Sequence, residues 1–151
     1  MTAARAWHEQ CFACGPDNSH GLCLDCRLQG DGSVLAEFMP QAWMQGYSGQ
    51  LQGGIITTLL DSSMCQCLHH HGIDAVTGSL QVRFHRPAPV EGVYRVSARI
   101  DETRHGTWAM LAEFQLAAQR VARGRGVFFT RLADQRYDAD MCAGSDDLSS
   151  A

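Results

Sequence analysis

The sequence predicts an α+β fold in which one antiparallel sheet wraps around a single long helix. Two observations predict it. The chain's most apolar helix-like run begins at Gly53, and the segments on either side of it alternate apolar and polar residues with a period of two. A helix and a sheet with one apolar face each can bury both faces only against one another. The predicted order is strand, strand, helix and then a meander of four strands.

Glycines frame the predicted helix. Gly53 and Gly54 open the apolar run and Gly72 follows it, which predicts a helix of about 18 residues with Gly72 as a left-handed cap. The three consecutive histidines 69–71 point about 100° apart on such a helix. We therefore expect them near its C-terminal end and not around one metal ion.

The predicted strands follow from the two-residue period. Residues 22–29 alternate and turn through Gly30-Asp31-Gly32 into residues 34–38, which predicts a hairpin. Small residues in the last strand are expected to let the helix approach closely. The apolar faces predicted after the helix are Val76, Leu80, Val82 and Phe84; Tyr94, Val96, Ala98 and Ile100; Trp108, Met110, Ala112, Phe114 and Leu116; and Ala122, Gly124, Gly126 and Phe128.

Length and composition predict one domain. A chain of 151 residues with 45% hydrophobic content can bury one core. We divide it into an N-terminal lead with a cysteine-rich loop (1–20), a single domain (21–133) and a polar tail (134–151) expected to be disordered. The net charge of -4 without a Lys/Arg block argues against nucleic-acid or membrane partners. With neither an apolar span nor a signal-peptide pattern, a cytoplasmic location is expected.

Seven cysteines are present, and an odd number in a reducing compartment does not suggest a disulfide framework. Cys11, Cys14, Cys23 and Cys26 form two Cys-x2-Cys pairs, which alone could make a zinc site. However, the second pair falls in a predicted strand, where residues three apart point to opposite faces. We therefore expect no metal, and keep zinc binding as an alternative. His8 has no partner that the sequence identifies.

Asp61 is the first candidate for chemistry. It is the one carboxylate in the apolar helical run, where aspartate is a poor helix former and where burying its charge costs free energy. The fold must gain something by keeping it. The competing interpretation places Asp61 at the solvent edge of the helix as an ordinary polar residue.

Three separated motifs carry a resemblance to a known family. They are Cys11-Phe-Ala-Cys-Gly-Pro-Asp-Asn with Gly21-Leu22, the run from Gln52-Gly-Gly to Asp61, and Thr77 followed by Val-Arg-Phe-His-Arg-Pro at 82–87. With the strand order, they make the chain resemble hotdog-fold thioesterases of the phenylacetate-pathway (PaaI-like) type. The resemblance implies hydrolysis of acyl-coenzyme A thioesters in a site shared by two subunits, without metal or redox cofactor.

One position departs from the family pattern. The motif usually begins His-Gly-Gly, and this chain has Gln52 in place of the histidine. A glutamine can hydrogen-bond, but it cannot titrate near neutral pH. We assign Gln52 to holding the helix start or the substrate, and whether its presence lowers or abolishes turnover stays open. Thr77 matches the family position whose hydroxyl orients the water or the carboxylate.

The spacing of the helix residues bears on oligomeric state. Backbone N–H groups of Gly53 and Gly54 at the helix start can polarise a thioester carbonyl. Asp61 lies eight residues after Gly53, about 12 Å along the axis, so one thioester cannot touch both. Asp61 must then serve a site with Gly53 of a partner, which predicts a homodimer or a dimer of dimers. Asp61 as nucleophile and Asp61 as general base both remain open.

Four arginines are candidates for the coenzyme A phosphates: Arg83, Arg86, Arg123 and Arg125. The competing interpretation is a solvated strand face, where alternating arginines are common. The alternative function is a non-catalytic protein that binds acyl-CoA or another small ligand. Acyl-chain specificity is not predicted.

Overall fold

The computed structural model describes residues 8–131. Within this part of the chain the helix and strands follow the predicted order. A short 3-10 helix, Ala42–Met44, precedes the α-helix. The elements are β1 (Arg27–Leu28), β2 (Val34–Phe38), α1 (Gly53–His70), β3 (Ala75–Phe84), β4 (Tyr94–Arg104), β5 (Thr107–Leu116) and β6 (Gln119–Thr130).

The strands form one antiparallel sheet in the order β1-β2-β4-β5-β6-β3. The predicted meander of four strands is therefore wrong for β3, which pairs with β6 and not with β4; of these four strands, only β4, β5 and β6 are neighbours in chain order. The two edges of the sheet differ greatly in length, because β1 has 2 residues and β3 has 10. The helix packs on one face of the sheet, against β2 to β6. The predicted α+β architecture, a sheet wrapped around one helix, is confirmed.

Small residues of β6 let the helix approach the sheet, as predicted. A Cβ atom at Gly126 would lie 2.8 Å from Met64 Sδ, and one at Gly124 would lie 3.0 Å from Met64 Cε. Such distances are too short for a real contact, so glycine sets the separation between α1 and β6. Elsewhere in the core the buried rings of Tyr94 and Phe114 stack with centroids 4.4 Å apart.

The C-terminal end of α1 is held by its histidines. His70 Nε2 lies 2.8 Å from the carbonyl oxygen of Cys26, and His71 Nε2 lies 2.8 Å from that of Gly32. Gly72 follows in the left-handed region with φ 71°, where glycine is not strained. These histidines therefore fasten the helix end to the N-terminal hairpin.

The prediction that Cys23 and Cys26 lie in a strand is wrong. β1 begins only at Arg27, and Cys23 has a φ of 52°. The Cys26 N–H donates to Gln66 Oε1 at 2.9 Å, and Gln66 Nε2 donates to the Leu24 carbonyl at 3.0 Å. The side chain of Gln66 on α1 thus takes the place of a neighbouring strand, which shortens β1.

The predicted apolar face of β3 is wrong at one position. The register with β6 shifts directly after Thr77, so that Thr77 is opposite Phe128 and Leu80 is opposite Gly126. This is a β-bulge, which inserts one residue and reverses the alternation. Thr77 therefore shares the helix-facing side with Leu80, whereas Val76 points away and is 48% exposed.

Some expectations concern residues outside the described range. The polar tail at 134–151 and Cys142 fall there, as do residues 1–7 of the lead and 132–133 of the predicted domain. Among residues 8–131, no helix combines the length and the apolar character needed to cross a membrane.

Candidate active site

The carboxylate of Asp61 meets a hydroxyl group from the sheet. Asp61 is half-buried on α1, and Thr77 Oγ1 donates a hydrogen bond of 2.8 Å to its Oδ1. The β-bulge makes this contact, since without it Thr77 would face the other side of the sheet. The structure therefore brings together two of the predicted site residues within one chain.

The environment of Asp61 disfavours its charge. Burial raises the pKa of Asp61, and the hydrogen bond from Thr77 lowers it in part. Within residues 8–131 no arginine, lysine or histidine forms an ion pair with Asp61. A carboxylate without a cation and with a raised pKa is better suited to accept a proton.

A cavity of about 460 Å³ opens beside this pair. Thr77 lines it from β3, and Cys65 and His69 line it from α1. Asp61, Cys65 and His69 follow one another at steps of four residues, so they share one face of the helix. Cys65 and His69 were not among the predicted site residues, although their four-residue steps from Asp61 can be read from the sequence.

Cys65 does not compete as a nucleophile. Burial, together with the nearby charge of Asp61, raises the pKa of its thiol to about 12. The reactive form of cysteine is the thiolate, which at such a pKa is scarce at neutral pH. Cys65 is therefore present mainly as a thiol at neutral pH and is not the nucleophile of this helix face.

The start of α1 carries the predicted glycines. Gln52 is the N-cap residue, and its Oε1 accepts a hydrogen bond of 3.0 Å from the Ile55 N–H. Gly53 and Gly54 are the first two residues of the helix, where N–H groups lack partners within the helix. The ring of Phe84 comes within 3.4 Å of where a Cβ of Gly53 would stand. The N–H groups at this helix end favour an anion, and the Phe84 ring and the Gln52 side chain lie beside them.

The two halves of the predicted site are not brought together in one chain. α1 is continuous from Gly53 to His70, so Asp61 lies about 12 Å from Gly53 along its axis. A thioester carbonyl held at Gly53 is beyond the reach of Asp61 in the same chain. Each chain thus contributes one half of two different sites, or only one half is used.

The candidate arginines do not gather around Asp61. Gly124 and Gly126 face α1, so Arg123 and Arg125 lie on the outer face of the sheet. Arg125 Nη2 lies 3.4 Å from Asp101 Oδ2. Arg83 is opposite Arg123 and therefore on the same outer face.

Arg86 lies beyond the end of β3. It donates a hydrogen bond to the side chain of Gln119. Arg83 and Arg86 nevertheless flank Phe84, whose ring packs near the helix start. They are the two candidates closest to Gly53 along the chain.

The N-terminal loop assembles a different cluster from the one predicted. The potential ligand atoms of His8, Cys11 and Cys14 all lie within 4.8 Å of one another. Cys23 and Cys26 do not join it, so the four-cysteine zinc site considered from the sequence is not assembled among the described residues. His8 was missed, although His-x2-Cys-x2-Cys is a regular spacing.

A family model, the thioesterase superfamily, matches residues 49–122. This range includes α1, β3, β4 and β5 and reaches into β6. It contains Gly53, Asp61 and Thr77. No protein with a curated description matches the chain.

Solved structures share the fold. A thioesterase superfamily protein superposes with a TM-score of 0.72 at 23% identity, over 76% of this chain and 60% of that one; this chain thus spans less than two thirds of it. A phenylacetic acid degradation-related protein from Ralstonia eutropha JMP134 has a TM-score of 0.68 at 21% identity, over 83% of this chain and 98% of that one. A hypothetical thioesterase from Streptococcus pneumoniae TIGR4, solved with coenzyme A, has a TM-score of 0.67 at 17% identity, over 72% and 85%.

At these identities the superpositions demonstrate a common architecture, one helix packed on an antiparallel sheet. The family match is to the part of the chain that carries the helix and most of the sheet. The chain thus matches the thioesterase superfamily model over residues 49–122 and shares the hotdog-fold architecture of these solved structures.

Proposed function

We propose that this protein hydrolyses acyl-CoA thioesters, with Asp61 as the base or nucleophile. The observation that carries the proposal is the 2.8 Å hydrogen bond from Thr77 to Asp61 beside an open cavity. It holds one carboxylate oxygen in place and leaves the other to act. Thioester hydrolysis needs such a group close to the carbonyl carbon.

As a general base, Asp61 takes a proton from a water molecule while the water oxygen bonds to the thioester carbon. The carbonyl oxygen becomes an oxyanion, which the N–H groups of Gly53 and Gly54 would stabilise. When the oxyanion collapses, the carbon–sulfur bond breaks and the CoA thiolate receives the proton from Asp61. As a nucleophile, Asp61 would instead bond to the thioester carbon, the carbon–sulfur bond would break to release CoA thiolate, and water would hydrolyse the resulting mixed anhydride to the free acid and Asp61.

A shared site follows from the separation of the two halves. Since Asp61 and Gly53 are about 12 Å apart on one helix, a two-fold partner must bring its Asp61 to Gly53. The edge strand β3 supports pairing between copies, because it is 10 residues long. On the sheet face away from the helix, Val76 of β3 and Phe129 of β6 are each 48% exposed. An unprotected edge of this length is a template for another strand.

The coenzyme A moiety is the proposed recognition element. The Streptococcus pneumoniae neighbour was solved with coenzyme A, and Arg83 and Arg86 are the candidate cations nearest in sequence to Phe84, whose ring packs at the helix start. Structures of that neighbour also exist with alanine in place of one aspartate or one threonine. Those two residues are 16 positions apart, the separation of Asp61 and Thr77.

The activity is tested by thiol release from a panel of acyl-CoA esters. Wild-type protein should turn over at least one ester, and Asp61→Asn should not. Asp101→Asn is the matched control, because Asp101 lies on the outer face of the sheet with Arg99 and Arg125. Equal turnover by the wild type and Asp61→Asn would remove Asp61 from the mechanism.

The shared site is tested by mixing two inactive variants. Gly53→Pro removes one N–H at a helix position where proline is tolerated, and Asp61→Asn removes the carboxylate. In a shared-site dimer, co-refolded variants form hybrids with one intact site, which restores about a quarter of the wild-type sites. A mixture no more active than its components would place each site within one chain.

The alternative is a binding protein without turnover. It is favoured by Gln52, whose side chain caps its own helix and cannot act as an acid or base. Under this alternative, calorimetry would detect tight acyl-CoA binding while the thiol assay shows no release by wild-type protein. That combination would replace the hydrolase proposal.

A further inference from the structure

We propose that His8, Cys11 and Cys14 form a binding site for zinc. The two thiols and the imidazole come from a segment that the proposed hydrolysis does not use. Their ligand atoms lie within 4.8 Å of one another. The inference goes beyond the proposed function, since it concerns a different set of side chains and a metal ion.

The distances are close to those of a tetrahedral zinc site. With zinc–sulfur bonds of about 2.3 Å and zinc–nitrogen bonds of about 2.0–2.1 Å, ligand atoms lie about 3.5–3.8 Å apart. Cys14 Sγ and His8 Nδ1 are separated by 3.6 Å. Cys11 Sγ lies within 4.8 Å of both atoms. A side-chain rotation that moves this sulfur by about 1 Å would therefore bring all three ligand atoms to the separations of a tetrahedral site.

The backbone builds this arrangement. The Cys11 N–H donates to the His8 carbonyl at 3.0 Å, and the Gly15 N–H donates to the Cys11 carbonyl at 2.8 Å. A Cβ at Gly15 would overlap the Cys11 backbone nitrogen and lie 2.5 Å from the carbonyl oxygen of Glu9. Only glycine therefore fits after Cys14. The turn, not chance contact between mobile side chains, sets the positions of the three donors.

The donor set selects the metal. Two cysteines and one histidine in a near-tetrahedral arrangement are typical of zinc, because thiolate and imidazole ligands suit a borderline-soft cation. Three protein ligands leave a fourth position. The ring of His69 packs against that of His8, with centroids 4.7 Å apart and 62° between the planes, but its nitrogens are not part of the cluster of ligand atoms. Water is therefore the ligand for the fourth position.

A metal here would fix the N-terminal loop where its His8 ring packs against His69 of α1. His69 belongs to the last turns of the helix, and both His8 and His69 line the 460 Å³ cavity beside Thr77. The expectation of no metal concerned a site made of four cysteines. In the structure the cluster contains His8 with Cys11 and Cys14, and it does not include Cys23 and Cys26. A cation at this position would fix one wall of that cavity.

The test measures metal in the full chain. Protein produced in zinc-supplemented medium and freed of loose metal by gel filtration is analysed by elemental mass spectrometry. We expect about one zinc per chain in the wild type and a loss in Cys14→Ser and His8→Ala. Cys23→Ser is the matched control, since Cys23 is an exposed thiol outside the cluster, and it should retain the metal.

Cobalt(II) titration supplies a second measurement. The wild type should develop thiolate-to-cobalt charge-transfer absorption together with tetrahedral d–d bands. His8→Ala should weaken the cobalt affinity at least about 10-fold, because even the loss of a residue that only hydrogen-bonds to a metal ligand has an effect of that size. Because Cys14→Ser could unfold the loop, chelator-treated wild type is compared with His8→Ala by thermal unfolding. Wild type with no more zinc than Cys14→Ser, or an oxidised Cys11–Cys14 pair in freshly purified protein, would overturn the proposal.

Discussion

The two sides of the sheet handle carboxylates in different ways. On the helix side, Asp61 is half-buried and meets a hydroxyl group, Thr77, at 2.8 Å. On the outer side, Asp101 lies 3.4 Å from each of two guanidinium groups, those of Arg99 and Arg125. The Asp101 carboxylate is thus ion-paired, whereas burial raises the pKa of Asp61, so that its carboxylate accepts a proton more readily than an ordinary aspartate does. This difference supports Asp61, and not Asp101, as the proposed catalytic carboxylate.

The largest expected effect separates the two aspartates by activity. Asp61→Asn should lower kcat for acyl-CoA hydrolysis by about 10²–10⁴-fold, the usual range for a positioned acid or base. Asp101→Asn should change kcat by less than about twofold, because exposed ion pairs contribute about 0–1 kcal/mol. Steady-state thiol release measures both. Similar losses in the two variants would mean that the helix side holds no special carboxylate.

Substitutions of neighbouring residues on opposite sides of β6 should differ in their effect on the free energy of unfolding. Gly126→Ala places a methyl group 2.8 Å from Met64 Sδ and should lower the free energy of unfolding by about 1–3 kcal/mol through overpacking. Arg125→Ala removes a surface ion pair and should lower it by no more than about 1 kcal/mol. Urea unfolding compares them. A larger effect at Arg125 would show that the outer side contributes more than its exposure suggests.

Removing the Thr77 hydroxyl should weaken the helix-side carboxylate. Thr77→Val keeps the shape of the side chain but deletes the donor to Asp61, and about 10-fold of kcat should be lost, the lower end for a hydrogen bond to a charged group. The hydrogen bond lowers the pKa of Asp61. Its loss raises that pKa, so the acid limb of the pH–rate profile should move to higher pH. An unmoved limb would show that Asp61 is not the titrating group.

The smallest expected effect is on the pH dependence of stability. Burial raises the pKa of Asp61 in the folded protein above its pKa in the unfolded chain, which is about 4. The stability that protonated Asp61 contributes is therefore fully present below the unfolded pKa and is lost as the pH rises through the folded pKa. Asp61→Asn should therefore raise Tm slightly at pH 7, with the gain vanishing near pH 4. Calorimetry at both values measures it. A lower Tm at pH 7 would mean that the charged form is stabilised by folding.

The sequence was sufficient to predict what depends on local periodicity. The helix from Gly53 to His70 and its end at Gly72 follow from the apolar run and its glycines. The alternating faces of the later strands follow from the two-residue period, and Gly124 and Gly126 lie where the helix approaches. These features are decided within a few residues of where they occur.

What the sequence could not predict depends on distant partners. The extra residue of the bulge changes which side of β3 faces α1, and no periodicity locates it. Cys26 is bound by Gln66, 40 positions away, which no pattern near the cysteines indicates. The proximity of His8 to Cys14 results from a turn that closes only with Gly15 after it. In each case tertiary contacts override the local pattern.

The β-bulge also divides β3 into two stretches with different packing constraints. Gly78 has no partner in the β6 register and no room for a side chain, since a Cβ there would overlap the ring of Phe129. Residues after it are constrained by packing on the helix, and Thr77 before it is constrained by its carboxylate. The bulge therefore separates the stretch of β3 that packs on the helix from the residue that donates to Asp61.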